Sequence, residues 1–165
     1  MNPDTELGPL VSQKQLDRVM RYVELGSGEG ARLVAGGERP GGDLADGYFV
    51  RPTVFADANN DMTIAREEIF GPVVTVIPFE DDEEELRLAN STEFGLAGGI
   101  WTRNLSSAHR MMRGVKAGTL WVNCYGPLDP GIGFGGYKMS GYGWKGSRDH
   151  VDSFLYTKAV YMNIG

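Results

Sequence analysis

The chain has 165 residues, 41% of them hydrophobic, and a formal net charge of −6. This length and composition suit an ordinary globular domain with a buried core and exclude a mainly disordered chain. The acidic balance argues against non-specific binding to nucleic acid or to an anionic membrane, and no apolar run approaches the roughly 20 residues of a membrane span. A single cysteine excludes an internal disulfide, and residues 1–5 lack signal-peptide features, so we expect a cytoplasmic protein.

The first predicted element is a helix from Ser12 to Leu25. Ser12 is a suitable N-cap, and Gln15 three residues later completes a capping box. An apolar stripe follows at helical spacing, formed by Leu16, Val19, Met20 and Val23. We expect Gly26 to end the helix.

Extended segments follow in the first half of the chain. Arg32 to Ala35 is a short predicted strand, and the glycine-rich residues 36–47 are a predicted loop. Tyr48 to Phe55 is predicted to be extended, with Pro52 favouring a sheet edge or a bend. Val73 to Phe79 is apolar and β-branched in nearly every position, which is typical of a parallel strand buried on both faces.

The second half alternates between helix and strand. The predicted elements are a helix from Asp81 or Asp82 to about Asn90, a strand from Ala97 to Thr102, a helix capped by Asn104 that runs to about Val115, and a strand from Thr119 to Asn123. Elements of these lengths in this order are typical of parallel βαβ units with right-handed crossovers. The sequence therefore predicts an α/β fold.

Two segments complete the chain. Residues 124–147 form a glycine-rich loop, and a loop of this length is usually functional or part of an interface. Ala159 to Ile164 is a predicted final strand without a sequential partner. Because no repeat or linker interrupts the chain, we expect one unit, although not a self-sufficient one.

Glycines at 131, 133 and 136 match the G-x-G-x-x-G pattern that binds dinucleotide phosphates. That mechanism needs a strand directly before the glycines and a helix directly after them. Loop residues precede the glycines here, and residues 138–145 are too rich in glycine for a helix. We therefore interpret the match as coincidental, as we do the looser match at Gly26, Gly28 and Ala31, which follows a helix.

Charged and metal-ligating residues give no clear site. The six acids from Glu80 to Glu85 are predicted to face solvent at the positive end of a helix dipole, and two scattered histidines predict no metal site. A nucleophilic pair of Cys124 with His150 stays open, because such partners need only be close in space. A cysteine that ends an apolar strand is more typical of a small buried residue. Trp101, Trp121 and Val122 are predicted core residues.

Two side chains beside a predicted tight turn carry a positive chemical signal. Glu68 precedes Ile69-Phe70-Gly71-Pro72, and a carboxylate can accept hydrogen bonds from both vicinal hydroxyls of a ribose. The ring of Phe70 offers a face to a flat heterocycle. Taken alone, an acid before a turn is a weak motif, and a purely structural role is the simpler interpretation.

A longer set of ordered blocks changes that balance. Glu67-Glu68-Ile69-Phe70-Gly71-Pro72 and the later Phe134-Gly135-Gly136-Tyr137-Lys138-Met139-Ser140-Gly141 resemble the C-terminal part of the NAD(P)-dependent aldehyde dehydrogenases. The resemblance extends over essentially the whole chain and is strongest to betaine-aldehyde-dehydrogenase-like members. Its other blocks are Pro3-Asp4-Thr5, Gly8-Pro9-Leu10-Val11, Glu29-Gly30-Ala31, Gly36-Gly37, Gly47-Tyr48-Phe49, Pro52-Thr53-Val54-Phe55, Met62-Thr63-Ile64-Ala65-Arg66, Ala89-Asn90, Phe94-Gly95-Leu96-Ala97, Gly118-Thr119-Leu120-Trp121-Val122-Asn123 and Tyr156-Thr157-Lys158.

The resemblance implies roles for individual residues. Glu68 corresponds to the glutamate that binds the nicotinamide ribose, and Phe70 to the phenylalanine near the nicotinamide ring. Gln15 and Arg18 lie on a helix that supplies groups near the cofactor and are weaker candidates. Leu128 and Phe134 resemble residues that line the aldehyde tunnel, where apolar walls suit an apolar or quaternary aldehyde.

The resemblance also implies which parts of the family's structure this chain contains. Residues 1–157 correspond to the C-terminal part of a catalytic domain, and residues 158–165 to a strand that joins the sheet of a second subunit in a homo-oligomer. The nucleophilic cysteine, the general-base glutamate, the oxyanion asparagine and the Rossmann domain of the family precede Gly8-Pro9. We therefore expect no catalytic residue in this chain and no activity from it alone.

Two hypotheses follow. In the first, the chain is part of an oxidoreductase that converts a small-molecule aldehyde to an acid with NAD or NADP. In the second, it is a stand-alone, non-catalytic oligomerisation or binding module derived from that family. The chain departs from the family at two places: Gly133 replaces a usual proline, and Gly143-Trp144-Lys145 replaces a frequent Gly-Arg-Glu. The second departure reverses a charge and bears on the subunit contact.

Overall fold

The computed structural model describes residues 5–165. Met1 to Asp4, which include the start of the first resembling block, lie outside the described residues. The chain divides into two compact units, one ending at Glu80 and one spanning Asp81–Gly165, where the sequence predicted a single unit. Each unit has its own helices and its own sheets, which is the physical reason for the division.

The first unit is built on helix α1, Gln13–Gly28. The Ser12 hydroxyl accepts the backbone N–H of Gln15 (3.3 Å), which confirms the predicted N-cap. The helix continues past Gly26, the residue expected to end it. Gly26 is buried, and a side chain there would collide with Ile64, so this glycine allows close packing rather than a turn.

A three-stranded sheet packs beside α1. Its strands are β1 (Arg32–Ala35), β2 (Thr53–Ala56) and β3 (Val73–Thr75); β2 lies in the middle, antiparallel to β1 and parallel to β3. Pro52 comes just before the central strand, so of the two predicted alternatives, a sheet edge or a bend, the edge is wrong. A short 3-10 helix, Gly42–Leu44, lies in the loop between β1 and β2.

The strand predicted to be buried on both faces is instead an edge strand. β3 ends at Thr75, and Val74 is 57% exposed. Its residues are apolar, but only β2 pairs with it among the described residues, so one edge and part of one face stay open. The buried cluster of this unit lies on the other face, formed by Leu16, Val19, Tyr22, Val23, Ala31, Val50, Phe55, Ala58, Ile64 and Ile69.

The second unit contains the predicted parallel crossover. Helix α2 (Thr63–Arg66) belongs to the first unit, and the second begins with α3 (Asp82–Asn90) and β4 (Phe94–Gly95). Strands β5 (Ala97–Ile100) and β6 (Thr119–Val122) then pair in parallel, and α4 (Leu105–Gly114) connects them along the chain. Asn104 caps α4 by accepting two backbone N–H groups, which confirms the predicted start. The chain thus has a mixed α/β fold with parallel sheet elements.

The predicted long loop contains short regular pieces. Strands β7 (Phe134–Gly135), β8 (Tyr137–Lys138) and β9 (Trp144–Lys145) are followed by helix α5 (Ser147–Asp152). β7 pairs with β9, and β8 pairs with β4, each antiparallel. The loop therefore folds on itself through β7 and β9, and it pairs with the rest of its unit through β8 and β4.

Three residues predicted to be core are not buried. Trp101 is 65% exposed, while Trp121 and Val122 are half-buried. The buried apolar residues of this unit are instead Ile100, Ala108 and Met111. An aromatic residue at the end of a short strand has few neighbours to cover it, which the sequence pattern did not reveal.

The C-terminal segment carries no helix or hydrogen-bonded strand beyond α5. Val160, Tyr161, Met162 and Ile164 are all at least 70% exposed. The expected strand from Ala159 to Ile164 is not formed here, because a strand requires a pairing partner and none is provided by the described chain. Within residues 5–165, no helix has the length and apolar character needed to cross a membrane.

Candidate functional site

The predicted turn lies between α2 and β3, and it has one buried side chain between two exposed ones. We call residues Glu67–Pro72 the cofactor turn. Ile69 is only 8% exposed and belongs to the core, whereas Glu68 on one side is exposed and Phe70 on the other is 75% exposed. The turn is therefore anchored by one apolar side chain and presents a carboxylate and an aromatic ring to its surroundings.

The backbone of the cofactor turn is strained at Phe70, whose φ is +58°. A bulky L-residue in this left-handed region costs about 1–2 kcal/mol. The Gln15 amide donates to the backbone carbonyls of Ile69 (3.0 Å) and Phe70 (2.9 Å) and so holds the strained conformation. The predicted capping box is thus only half present, because the Gln15 side chain reaches the turn instead of the N-cap backbone.

Two further side chains of α1 complete the support. Arg18 Nη2 donates to the Glu68 carbonyl (2.6 Å), and the Tyr22 hydroxyl donates to Glu67 Oε2 (2.5 Å). Gln15, Arg18 and Tyr22 are spaced by three and four residues, so they share one face of the helix. Sequence reasoning found Gln15 and Arg18 but missed Tyr22 and Glu67; the helical spacing of a polar-tipped tyrosine within the stripe was the available signal.

The Tyr22 phenol is held in its neutral form. Its hydrogen bond to Glu67 raises the pKa of Tyr22 above its ordinary value, and burial adds to the effect, while the charge of Arg18 opposes it. The residue is 1% exposed, and the guanidinium groups of Arg18 and Arg21 lie 5.2 and 5.4 Å from its ring centre. A neutral phenol is a hydrogen-bond donor, so the contact with Glu67 persists at neutral pH.

The carboxylate of Glu68 is the uncommitted group of the site. Within the described part of the chain it forms no hydrogen bond or ion pair, although the backbone carbonyl of the same residue is bonded to Arg18. Its two oxygens are available to a diol, and the neighbouring Phe70 ring is available to a planar group. These residues fit a bound nicotinamide nucleoside; the roles of Glu68, Phe70, Gln15 and Arg18 at a cofactor stay predictions.

The two residues predicted to line a substrate tunnel lie in the second unit. Leu128 is 66% exposed in the loop after β6, and Phe134 is half-buried in β7, paired with Lys145. Trp121 Nε1 donates to the Pro127 carbonyl (2.9 Å) and fixes the start of this loop. The described contacts do not join Leu128 to Phe134, and their shared role stays a prediction.

Lys138, in the late glycine-rich block, has a structural role. Lys138 Nζ donates to the backbone carbonyls of Asn90 (3.0 Å) and Thr92 (2.9 Å), just past the end of α3. A cation at the C-terminal end of a helix also complements its dipole. The G-x-G-x-x-G match in this region is followed by β8 and not by a helix, which confirms that it is coincidental.

The acidic run serves the start of α3. Asp81 Oδ1 accepts the N–H groups of Glu83 and Glu84, and Asp82 pairs with Arg110 (3.2 Å) on α4. Burial, and then the charge of Asp82, raises the pKa of Glu85 above its ordinary value. The interpretation as helix-terminal charges is confirmed. The acids do not all face solvent as expected, because Asp82, Glu84 and Glu85 are half-buried and Asp82 links α3 to α4.

The alternative nucleophile has no supporting arrangement in the described contacts. Cys124 is exposed, so the expectation that it would be a small buried residue is wrong. The ring of His150 instead accepts the Gly146 N–H through Nδ1 (3.2 Å) and packs against Phe154. Searched over residues 5–165, the side chains of His, Cys, Asp and Glu form no group of three or more that could hold a metal ion.

Comparison with known proteins agrees with the family resemblance seen in the sequence. The sequence model of the aldehyde dehydrogenase family matches residues 1–160. The betaine aldehyde dehydrogenase of Agrobacterium fabrum is 50% identical over 161 residues, covering 98% of this chain and 33% of that protein. The putative aldehyde dehydrogenase DhaS of Bacillus subtilis is 47% identical over 164 residues, covering 99% of this chain and 32% of that protein.

Solved structures resemble the chain closely. The NAD+ complex of an aldehyde dehydrogenase from Bacillus cereus has a TM-score of 0.91 and 48% identity, covering 100% of this chain and 33% of that one. An apo betaine aldehyde dehydrogenase mutant from Staphylococcus aureus has a TM-score of 0.92 and 38% identity, covering 96% and 32%. The chain spans about a third of the length of the relatives it matches.

Proposed function

Because this chain belongs to the aldehyde dehydrogenase family, we propose that it forms the part of a complete NAD(P)-dependent aldehyde dehydrogenase that orients the nicotinamide ribose. The family resemblance drawn from the sequence is thereby confirmed. In this proposal the nucleophile and the dinucleotide-binding domain are supplied by the remainder of the complete enzyme, which acts in the cytoplasm. The chain alone is not a catalyst.

The observation that carries the proposal is the uncommitted carboxylate of Glu68 on a braced turn. Its backbone is fixed by Arg18, and the next residues are fixed by Gln15, yet the carboxylate itself meets no protein group in the described chain. An exposed acid held this rigidly fits the binding of a diol better than a role in stability. When bound, NAD(P) would supply the hydride acceptor, and Glu68 and Phe70 would set the orientation of its nicotinamide nucleoside.

The aldehyde and the second subunit belong to the same proposal. Leu128 and Phe134 are proposed to line part of the aldehyde path, and their apolar side chains suit an apolar or quaternary aldehyde. Several relatives are named betaine aldehyde dehydrogenases, which favours the quaternary class. The exposed apolar segment from Ala159 to Ile164 is proposed to pair with the sheet of a second copy in a homo-oligomer, since unpaired strands favour such pairing.

The test is Glu68→Gln in the complete enzyme, read by single-turnover hydride transfer. We expect the hydride step to slow by about tenfold or more while cofactor affinity falls less, because one ribose contact positions the ring and most binding comes from elsewhere. Glu24→Gln is the matched control, an exposed glutamate on α1. An unchanged hydride step in Glu68→Gln would contradict the assignment.

The second candidate function, a non-catalytic oligomerisation module, is favoured by the exposed C-terminal segment. The same complete-enzyme assay decides between the two. The chain is a non-catalytic oligomerisation module if two results are found together. Joining it to the rest of the family's catalytic domain yields no aldehyde oxidation, and the isolated chain associates through residues 158–165.

A further inference from the structure

We propose that Tyr22 and Glu67 are a positioning pair that sets the location of the Glu68 carboxylate in the active site. This inference rests on the proposed function, because it concerns the residue that would hold the ribose. Neither Tyr22 nor Glu67 would touch the cofactor. Both would act through the backbone of the cofactor turn.

The geometry holds Glu68 from both sides. The residue before it, Glu67, is bound through its side chain to the Tyr22 hydroxyl (2.5 Å), and the carbonyl after its α-carbon is bound to Arg18 (2.6 Å). The peptide group after the α-carbon of Glu68 is therefore tied to α1 directly, and the residue before it is tied to the same helix through its side chain. Rotation of the backbone at Glu68 would break one of these bonds, so the direction of its side chain is restricted.

The donors are rigid because α1 is rigid. Tyr22 is 1% exposed and packs in the core with Leu16 and Val19, and the guanidinium groups of Arg18 and Arg21 lie close to its ring. Arg18 also donates to the Tyr22 hydroxyl (3.3 Å), which links the two supports into one chain of hydrogen bonds. These hydrogen bonds connect the Glu67 carboxylate to the Tyr22 hydroxyl, the hydroxyl to the Arg18 guanidinium, and the guanidinium to the carbonyl of Glu68.

This linkage explains why two consecutive acids are present. Glu67 is committed to Tyr22, which leaves Glu68 free for the diol, so the pair divides into one anchoring and one binding carboxylate. A displacement of a reacting group by about 1 Å can cost on the order of 100-fold in rate. Loss of the hydrogen bond between Glu67 and Tyr22 is therefore expected to lower the rate of hydride transfer more than it lowers cofactor affinity.

A purely structural role for Tyr22 and Glu67 is the competing explanation. In that case their removal lowers the stability of the first unit and leaves the hydride step of the folded enzyme intact. The two explanations predict changes in different measured quantities. A positioning role alters the rate of hydride transfer at saturating cofactor, whereas a purely structural role alters only the fraction of folded enzyme. They also differ in rescue, because Glu67→Gln retains an acceptor for the Tyr22 hydroxyl and Glu67→Ala does not.

The experiment compares Tyr22→Phe, Glu67→Ala, Glu67→Gln and the double variant Tyr22→Phe/Glu67→Ala in the complete enzyme. Hydride transfer is followed in single turnovers with NAD+, cofactor affinity is measured separately, and Glu24→Gln is the control. We expect about a tenfold slower hydride step in Tyr22→Phe and in Glu67→Ala, no further loss in the double variant, and affinity within about threefold of the unaltered enzyme. Glu67→Gln is expected to stay within about threefold in rate.

The outcomes separate this inference from the proposed function. A normal hydride step in Tyr22→Phe and Glu67→Ala, in an enzyme that Glu68→Gln slows, overturns the positioning pair and leaves the function standing. If Glu68→Gln leaves hydride transfer unchanged, both fall together. Additive losses in the double variant would also overturn the pair, because the two residues would then act separately. Tyr22→Phe and Glu67→Gln preserve shape, so they remain informative if Glu67→Ala does not fold.

Discussion

The hydroxyl of Tyr22 donates a 2.5 Å hydrogen bond to the carboxylate of Glu67 across 45 residues of sequence. The phenol is buried and the carboxylate lies at the surface, so the bond joins the core of the first unit to the cofactor turn. It is also the contact that raises the pKa of Tyr22 most. Stability, ionisation and the location of Glu68 are therefore linked at one residue.

The first prediction concerns alkaline pH. Since the pKa of Tyr22 is raised in the folded chain, its contribution to stability is complete below the ordinary value of about 10 and is lost as the pH rises from there through the folded value. Tyr22→Phe is expected to be less stable by about 1–2 kcal/mol at pH 7. This difference should shrink above pH 10, as measured by urea unfolding between pH 7 and 10.5; a constant difference would contradict the linkage.

The second prediction concerns the support of the strained residue. Gln15→Ala removes both hydrogen bonds to the Ile69 and Phe70 carbonyls and should destabilise the chain by about 1–3 kcal/mol. Gln13→Ala is a matched control in the same helical turn, because its amide donates to the exposed Asp17 and not to the turn. Equal denaturation midpoints for the two variants would show that the turn does not depend on Gln15.

The third prediction concerns Glu85 in α3. Burial raises the pKa of Glu85, so its charged form is disfavoured in the fold, and the stabilising protonated form is lost as the pH rises through the folded value. Glu85→Gln should therefore be more stable at pH 7 than Glu83→Gln, an exposed neighbour in the same first turn. The advantage should vanish near pH 3.5, and thermal unfolding at both pH values measures it.

The fourth prediction concerns activity. The purified chain should not oxidise aldehydes with NAD or NADP, because Cys124 has no partner base among its described contacts. Steady turnover that survives Cys124→Ser would show that the mechanism is wrongly assigned. Turnover that is abolished by this substitution would identify Cys124 as a nucleophile.

The fifth prediction concerns association. The intact chain should self-associate, and deletion of residues 158–165 should abolish this, because exchange of the C-terminal segment between two copies pairs its backbone groups symmetrically. Sedimentation at several concentrations measures the difference. A monomer at high concentration in the intact chain would refute the exchange.

Local signals predicted most of the fold. Ser12, Asp81 and Asn104 each cap the helix that follows them, and the parallel crossover around α4 has the predicted order. The errors arose where burial depends on distant partners. Val74 is as apolar as a core residue, yet its exposure is decided by which strands lie beside β3, and this information is not local.

The candidate site was predicted by family resemblance more than by chemistry. Glu68 and Phe70 alone were a weak motif, and nothing in the local pattern distinguished Glu68 from Glu67. The distinction comes from the structure, where Glu67 meets Tyr22 and Glu68 meets no protein group in the described chain. Contacts between residues about 50 positions apart decide which carboxylate is available, and single-sequence reasoning has no access to them.

Asn90, at the end of α3, ties together three segments that are distant in sequence. Its side chain accepts the Lys116 N–H and donates to the Gly114 carbonyl, and its own carbonyl accepts a hydrogen bond from Lys138. Local opening at the end of α3 therefore removes hydrogen bonds from both of the other segments. The backbone amides at the ends of α3 and α4 and in β8 should thus become accessible to solvent deuterium as one cooperative group, at a shared rate.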